Sequence, residues 1–329
     1  MPRNPKLFLH NQTYELCFRT EEGLPLVSAP YMVSLLKGYL AAAQSMYPVT
    51  ICHCVFMGNH AHLLIVVQDP EDVPRFCEYF KRESAHAINR LRGRVGKTVW
   101  ANGYDSPVLL DAEKVIGRIV YFYATPVKAD LVKSIDDYIH INSWSAFLSG
   151  KVVSEKHKRI PRDKLPALPN SHLTTRRLAE LAVTIEKSGV GEYILTFSPH
   201  AWIACFEESR LSSPEAIQSE ILGRVRESEQ RYNKERKGKI LGVARLVSQP
   251  LDQPYIPKKR GKRTICLGSS KELRKAFISF FKSYVFRAKE LLRSSSAVGS
   301  ASSPLPSLFS SSRYLNANLT SWAIPLPLA

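Results

Sequence analysis

The 329-residue chain lacks features that define several large classes of protein. No uninterrupted apolar run approaches the ~18 residues that a membrane-spanning helix requires, and the first residues, MPRNPK, contain no apolar signal core. The six cysteines, at positions 17, 52, 54, 77, 205 and 266, form no CxxC pair. This scatter favours reduced thiols over a disulfide framework. We therefore expect a cytoplasmic protein with no membrane partner.

Basic residues outnumber acidic ones two to one in the second part of the chain. Residues 1–150 contain 15 Lys and Arg against 14 Asp and Glu, a net charge of +1, whereas residues 151–329 contain 31 against 15, a net charge of +16. Within 231–293 the ratio is 18 basic to 4 acidic residues. This pattern predicts a polyanionic partner, of which nucleic acid is the commonest; the alternative is a basic surface that serves only solubility.

Two histidines are the most informative residues of the chain. In the apolar segment 60–67, His60 and His62 project to the same side because strand side chains alternate, with Cβ atoms roughly 7 Å apart. Ala61 and Leu63 point the other way, towards a core. A preceding strand at 49–57 and the turn residues Gly58 and Asn59 predict a tight hairpin, with the histidines at the edge of the sheet. Two imidazoles placed in this way can chelate a divalent metal, although the spacing alone is a weak signal.

The first 150 residues read as a β-α-β-β-α-β-α series. Strands are predicted at 13–19, 49–57, 60–67 and 106–110, and helices at 30–46, 71–91 and 111–124, the last opened by Asp111 and ended by Thr125-Pro126. The first six elements predict an α+β fold with a ferredoxin-like antiparallel sheet, helices on one face and the other face free for a site. On the seventh, Tyr123 falls within the apolar stripe and Tyr121 opposite it, which makes Tyr121 the candidate reactive hydroxyl.

The remainder predicts a mainly helical, basic C-terminal extension. Residues 151–164 read as a polar linker, helices are predicted at 174–188, 213–239 and 270–293, and 257–263 forms a basic loop. The predicted organisation is a catalytic domain at 1–150, a basic DNA-binding region at 151–293 and a disordered tail at 294–329, which is rich in Ser and Pro and almost free of charge.

Two segments resemble the single-tyrosine HUH transposases, and among them the REP-associated tyrosine transposases. The segment GNHAHLLI (58–65) is similar to the His–hydrophobic–His signature, and YFYATPVKADLV (121–132) is similar to the family's Tyr-x-x-x-Asn-Pro-Val-(Lys/Arg)-Ala-Gly-Leu-Val run. Further likeness lies in 100–110 and in RLRGRVGK (90–97), so the resemblance covers about residues 8–150. Gly58, Thr125 and Asp130 depart from the family's usual proline, asparagine and glycine.

The resemblance implies an HUH-type nuclease fold and a specific chemistry. Mg²⁺ or Mn²⁺ held by His60 and His62, with Thr125 as a third ligand, would polarise a phosphate of single-stranded or hairpin DNA. Tyr121 would attack it to leave a 5′-phosphotyrosine. Residues expected to bind DNA are Arg90, Arg92, Arg94, Lys97, Lys128, Lys258, Lys259, Arg260, Lys262 and Arg263. In a bacterial cell such a protein, monomeric or dimeric, would lie with the nucleoid.

Three other functions are compatible with the sequence. Cys52 and Cys54 could join the two histidines in a zinc module, although the usual C-x₂₋₄-C spacing is missing. A non-enzymatic DNA-hairpin binder, acting as a repressor or nucleoid factor, would account for the departures at 58, 125 and 130. A replication initiator or relaxase of the wider HUH class would use an additional histidine or a tyrosine pair.

Overall fold

A computed structural model describes residues 6–23, 30–93, 95–166, 175–242, 245 and 264–298. The predictions made for Arg94, for the basic loop 257–263 and for the tail from 299 onwards lie outside these residues. The described strands and helices are β1 (Thr13–Arg19), α1 (Pro30–Met46), β2 (Thr50–Met57), β3 (His60–Val66), α2 (Asp72–Leu91), β4 (Val108–Leu109), α3 (Ala112–Lys128), α4 (Trp144–Ser149), β5 (Val153–Arg159), α5 (Thr175–Lys187), β6 (Val190–Phe197), α6 (Pro214–Glu235), β7 (Cys266–Leu267) and α7 (Lys271–Val298).

The centre of the sheet has the predicted ferredoxin-like arrangement. The strands lie in the order β5-β6-β2-β3-β1-β4-β7. Within it, β2, β3, β1 and β4 are antiparallel neighbours, with Cys17 opposite His62 and Arg19 opposite His60. Helix α1 connects β1 to β2, and helix α2 connects β3 to β4. In the sheet, β3 lies between β1 and β2. The α+β class and the antiparallel core are therefore confirmed.

Helices cover both faces of the sheet, whereas the sequence predicted helices on one face. Alternate residues of β3 separate two cores: Leu63 and Ile65 pack with α1 and α2, and Leu64 and Val66 pack with α3 and α6. The second core forms because the apolar stripe of α3, which includes Ile119 and Phe122, also needs a surface on which to pack. The face that holds the histidines is thus partly roofed by α3 and α6.

The C-terminal part contributes strands as well as helices. The predicted linker contains β5, in which exposed residues alternate with half-buried ones, as on an outer strand. β5 pairs antiparallel with β6, β6 meets β2 in parallel at Ile51–Phe197, and β7 runs parallel to β4. Helix α7 continues to Val298, so the first five residues of the predicted disordered tail, 294–298, are helical.

Helix α3 is longer than predicted because it continues through Pro126. Asp111 caps its start as expected, its side chain accepting a hydrogen bond from the Lys114 backbone N–H at 2.8 Å. Proline removes a single backbone donor inside the helix, while the buried Phe122, Pro126 and Val127 keep the last turn packed. The helix ends at Lys128, and Asp130 takes the left-handed conformation at φ +55°, where the related family usually has glycine.

The cysteines and the helices bear on the predicted compartment of the protein. All six cysteines are free thiols, as the lack of a CxxC pair predicted. Across the described residues, none of the helices combines the length and the apolar character needed to span a membrane.

Candidate active site

The two histidines lie at the start of a central strand. β3 is flanked by β1 and β2, so His60 and His62 are not at a sheet edge as predicted but at the end of a buried strand, beside the turn 58–59. The turn is fixed by Thr20, whose backbone N–H and hydroxyl both donate to the Asn59 carbonyl, at 2.9 and 3.0 Å. The imidazole centroids are 5.0 Å apart, which confirms that both rings project to one face.

His60 is held as a neutral imidazole. Its Nδ1 donates a hydrogen bond to Asn59 Oδ1 at 2.7 Å. Burial, together with repulsion from His62 and Arg19, lowers the pKa of His60 to about 3. The Nε2 lone pair is therefore the one that a ligand could use.

His62 belongs to a buried charge network that the sequence did not reveal. Its Nδ1 lies 2.7 Å from Glu15 Oε1, and the same oxygen accepts a hydrogen bond from Arg118 of α3. Burial opposes protonation, but hydrogen bonds with Cys17 and Glu15 outweigh it and raise the pKa of His62 to about 9. Burial also opposes ionisation of Glu15, yet His62 and Arg118 together lower its pKa. Positive charge at His62 is thus stabilised from behind the ring.

Helix α3 places Tyr121 next to this pair. Tyr121 is half-buried, and its ring centroid is 5.8 Å from that of His62. The guanidinium carbon of Arg118, one turn earlier, lies 4.1 Å from the Tyr121 ring centroid. Lys128 Nζ lies 5.8 Å from the same ring and from the ring of Tyr232 in α6. The candidate nucleophile therefore stands among cations on the side of the histidines.

Tyr123 is a core residue, as its place in the apolar stripe predicted. It is fully buried, and its hydroxyl bonds to His53 Nδ1 at 2.7 Å and to Ser143 Oγ at 3.0 Å. Burial raises the pKa of Tyr123 well above its usual range. His53, whose Nε2 lies 3.0 Å from the Pro199 carbonyl, is likewise committed to the core. A two-tyrosine site of the initiator type is therefore not supported.

The pair of histidines suits a divalent cation in its chemistry. Each ring has its Nδ1 occupied, by Asn59 or by Glu15, which leaves Nε2 as the ligand position of each ring. At His62 a ligand would also have to displace the hydrogen bond with Cys17. In many metal sites a ligating histidine donates its other ring N–H to a carboxylate. Such a carboxylate favours positive charge at Nε2, whether that of a proton or of a metal. The described residues contain no group of three or more His, Cys, Asp or Glu side chains that could hold a metal. Water or phosphate oxygens would have to complete the coordination.

Thr125, proposed as a third ligand, has its hydroxyl on the helix backbone. Its Oγ1 donates to the Tyr121 carbonyl at 2.5 Å, and the side chain is buried. This bond is the usual i to i−4 contact of a helical threonine.

The structure does not bring together the two cysteines of the alternative zinc module. A register shift in β2 between Ile51 and His53 puts Cys52 in one core and Cys54 in the other.

The residues expected to bind DNA lie in two places. Lys128 borders Tyr121. The end of α2 and the loop after it contain Arg90, Arg92 and Lys97. Helix α2 packs on the face of the sheet opposite to the histidines, so these residues lie on that other side.

Glu15 and Arg118 are the site residues that the sequence did not predict. Glu15 sits in the middle of the apolar strand TYELCF, where a buried carboxylate requires a partner. Arg118 precedes Tyr121 by three residues on a helix, a spacing that places the two side chains side by side. Both signals are present in the sequence. The contact between Glu15 and Arg118, however, joins residues more than a hundred positions apart.

Residues 9–116 match the family model of the IS200-like transposases, which covers both histidines and ends before Tyr121. The resemblance to the single-tyrosine transposases is thereby confirmed for this third of the chain, and the class of protein it supports is a transposase. No curated protein matches the chain.

Two solved structures are similar over part of the chain. One is a REP-associated tyrosine transposase bound to a REP hairpin, 14% identical, covering 45% of this chain and 86% of that one, with a TM-score of 0.37. The other is a putative transposase from Deinococcus radiodurans R1, 17% identical, covering 36% of this chain and 92% of that one, with a TM-score of 0.28.

Proposed function

We propose that the chain is a metal-dependent endonuclease and strand transferase that acts on single-stranded or hairpin DNA through a 5′-phosphotyrosine. The observation that carries the proposal is the placement of Tyr121 against His62, whose neighbour His60 projects from the same strand. The transposase family match over 9–116 and the net charge of +17 are consistent with DNA as the substrate.

The reaction is a transesterification. Tyr121 Oη attacks the scissile phosphorus in line, the P–O3′ bond breaks, and the tyrosine becomes esterified to the 5′ phosphate. The phenolic proton passes to water and the leaving 3′ oxygen takes one up, so the strand ends in a free hydroxyl. That hydroxyl can reverse the attack, because the phosphotyrosine retains the energy of the broken bond.

The chain's own residues orient the reacting groups. A Mg²⁺ or Mn²⁺ held at the Nε2 atoms of His60 and His62 would neutralise charge on the phosphate. Glu15 fixes the ring of His62 and the guanidinium of Arg118, and Arg118 in turn covers the Tyr121 ring. Arg118 and Lys128 give the region around the nucleophile a positive potential, which favours a phosphate there.

An adduct assay tests the proposal. Labelled hairpin DNA with a single-stranded extension is incubated with protein and Mg²⁺ or Mn²⁺, and a covalent protein–DNA species should appear on denaturing gels. It should be absent with EDTA and with Tyr121→Phe, which keeps the ring and removes the nucleophile. Tyr123→Phe is the matched control, and an adduct lost there but kept in Tyr121→Phe would reverse the assignment of the tyrosine.

The histidines have their own control. His60→Ala and His62→Ala should abolish the adduct while DNA binding persists, whereas His53→Ala should lower stability but leave cleavage per folded molecule intact. DNA binding by the wild-type protein without any adduct would instead support a non-enzymatic hairpin binder. The two-histidine ligand set, with Thr125 bonded to the helix backbone, is the observation that favours this second function.

A further inference from the structure

Helix α6 packs along α3, the helix that carries the candidate nucleophile. Its apolar residues Ile221 and Val225 lie in the same core as α3. Further along α6, Glu229 is 5% exposed and accepts a hydrogen bond from the Ile135 backbone N–H at 2.6 Å. The match to the transposase family model ends at residue 116, so it assigns no role to α6.

Two further contacts fix the second half of α6 against the end of α3 and the segment after it. Arg236 Nε forms an ion pair with Asp130 at 2.6 Å. Asn233 Nδ2 donates a hydrogen bond to the Lys133 carbonyl at 2.9 Å. These bonds hold the part of α6 that carries Tyr232 before any ligand arrives, so less order has to be imposed when a ligand binds there.

Tyr232 lies close to the candidate nucleophile. It is half-buried and packs against the same core as Tyr121. Lys128 Nζ is 5.8 Å from each of the two ring centroids, so the rings are separated by at most twice that distance. The guanidinium carbon of Arg231 is 5.1 Å from the Tyr232 ring centroid. An aromatic ring and two cations are thus grouped beside the reacting centre, within the span of neighbouring nucleotides of an extended strand.

We propose that Tyr232 forms a base-stacking subsite, which holds the base of a nucleotide next to the scissile phosphate. The proposal rests on the proposed function, because it takes single-stranded DNA as the ligand of the chain. Proteins that bind single strands combine cations that follow the backbone with aromatic rings on which bases stack. Lys128 and Arg231 are the cations here, and the ring of Tyr232 is the stacking surface. Because every base has a π-face, this contact positions the strand and tolerates different bases.

A double-mutant cycle between the ring and the base tests this contact. In a Tyr121→Phe background with EDTA, so that no cleavage occurs, the affinity for labelled hairpin DNA with a single-stranded extension is measured by fluorescence anisotropy. An abasic nucleotide is placed in turn at each position of the extension. Tyr232→Leu, which keeps an apolar side chain against the core, should weaken binding of the intact substrate by about 5- to 150-fold, the loss expected for one stacked base. At one position, removal of the base should weaken binding by the parent protein to a similar extent and add little to the loss in Tyr232→Leu.

Two variants control for structural effects. Tyr232→Phe keeps the ring and should bind to within about twofold of the parent protein. Tyr47→Leu is the matched control, because Tyr47 is also half-buried but packs in the opposite core; it should bind as the parent protein does. Circular dichroism verifies that each variant folds. Additive losses at every abasic position, or a Tyr232→Phe protein that binds as weakly as Tyr232→Leu, would overturn the proposal.

The binding cycle and the adduct assay fail independently of each other. The coupled position should adjoin the bond that the adduct assay shows to be cut, and coupling only at a distant position would overturn the placement beside the scissile phosphate. Adduct formation without any coupling would overturn the stacking contact and leave the nuclease in place. Coupling without an adduct would support the stacking contact in a protein that binds DNA and does not cut it. No binding by the parent protein would overturn both proposals.

Discussion

Replacing Glu15 with glutamine removes the charge behind His62 and keeps the side chain's size. The Glu15 carboxylate is 4% exposed and accepts hydrogen bonds from His62 and Arg118. Loss of an outer-shell partner of a ligating histidine typically lowers metal affinity by about 10- to 100-fold, which corresponds to about 1.4–2.8 kcal/mol. We expect Glu15→Gln to need about 10- to 100-fold more Mn²⁺ for half-maximal adduct formation. The free energy of unfolding should fall by about 1–3 kcal/mol, because charge-assisted bonds are removed from a buried place.

Glu155 provides a matched control for this substitution. Its carboxylate also accepts from a histidine and a cation, His157 at 3.0 Å and Lys37 at 2.7 Å, but it lies on β5 away from the site. Glu155→Gln should leave the metal dependence of adduct formation unchanged. A Glu15→Gln protein with the wild-type metal titration, or with a deficit that saturating metal does not restore, would refute the outer-shell role.

Three further predictions concern the nucleophile, the fold and the basic loop. Arg118→Met should slow adduct formation by at least about tenfold, with partial rescue by Arg118→Lys, because the cation beside the nucleophile is removed; an unchanged single-turnover rate would contradict this. A hydrogen bond from Arg226 lowers the pKa of Asp136 to about 2, so its stabilising effect is complete above the unfolded pKa of about 3.9 and is lost as the pH falls towards 2. The wild-type melting temperature should therefore drop more steeply than that of Asp136→Asn between about pH 4 and pH 2, and parallel curves would argue against it. Neutralising the basic loop should reduce the salt slope of DNA binding by about 0.7 for each phosphate that the loop neutralises, and an identical slope would mean that the loop serves only solubility. The loop residues to be changed together are Lys258, Lys259, Arg260, Lys262 and Arg263.

The central elements of the fold were predictable because their signals are local. The alternation in 60–67 correctly predicted that His60 and His62 share a face, and the apolar stripe of α3 separated Tyr121 from Tyr123. Order and spacing of β1 to β4 with their two helices were enough for the ferredoxin-like core. Local pattern is a strong guide where an element is periodic and its turns are short.

The secondary-structure predictions were wrong where the structure depends on contacts with other elements. Nothing in the polar segment 153–159 indicates that it forms a strand until β6 is available to pair with it. The register shift in β2, which sends Cys52 and Cys54 into different cores, depends on its neighbours β3 and β6. In α3, packing of the last turn outweighed the helix-ending effect of Pro126.

The structure brings together the candidate residues that the sequence predicted, whereas the groups that support them were missed. His60, His62 and Tyr121 belong to motifs and could be found by pattern. The contact of Glu15 with Arg118 joins β1 to α3, and no spacing along the chain encodes it.

The structure also explains why position 130 accommodates Asp where the transposases that it resembles usually have glycine. Asp130 adopts the conformation that suits glycine and forms an ion pair with Arg236 Nε at 2.6 Å, which ties the end of α3 to α6.

Identification of the residue joined to DNA tests the central claim most directly. The adduct formed on a hairpin substrate in Mn²⁺ would be digested with nuclease and protease, and the modified peptide sequenced by mass spectrometry. We predict a single nucleotide-modified peptide that spans residues 119–128, with the 5′ phosphate on Tyr121 and a free 3′ hydroxyl on the released strand. A phosphate carried by any other residue, or cleavage that leaves no covalent peptide adduct, would contradict the account.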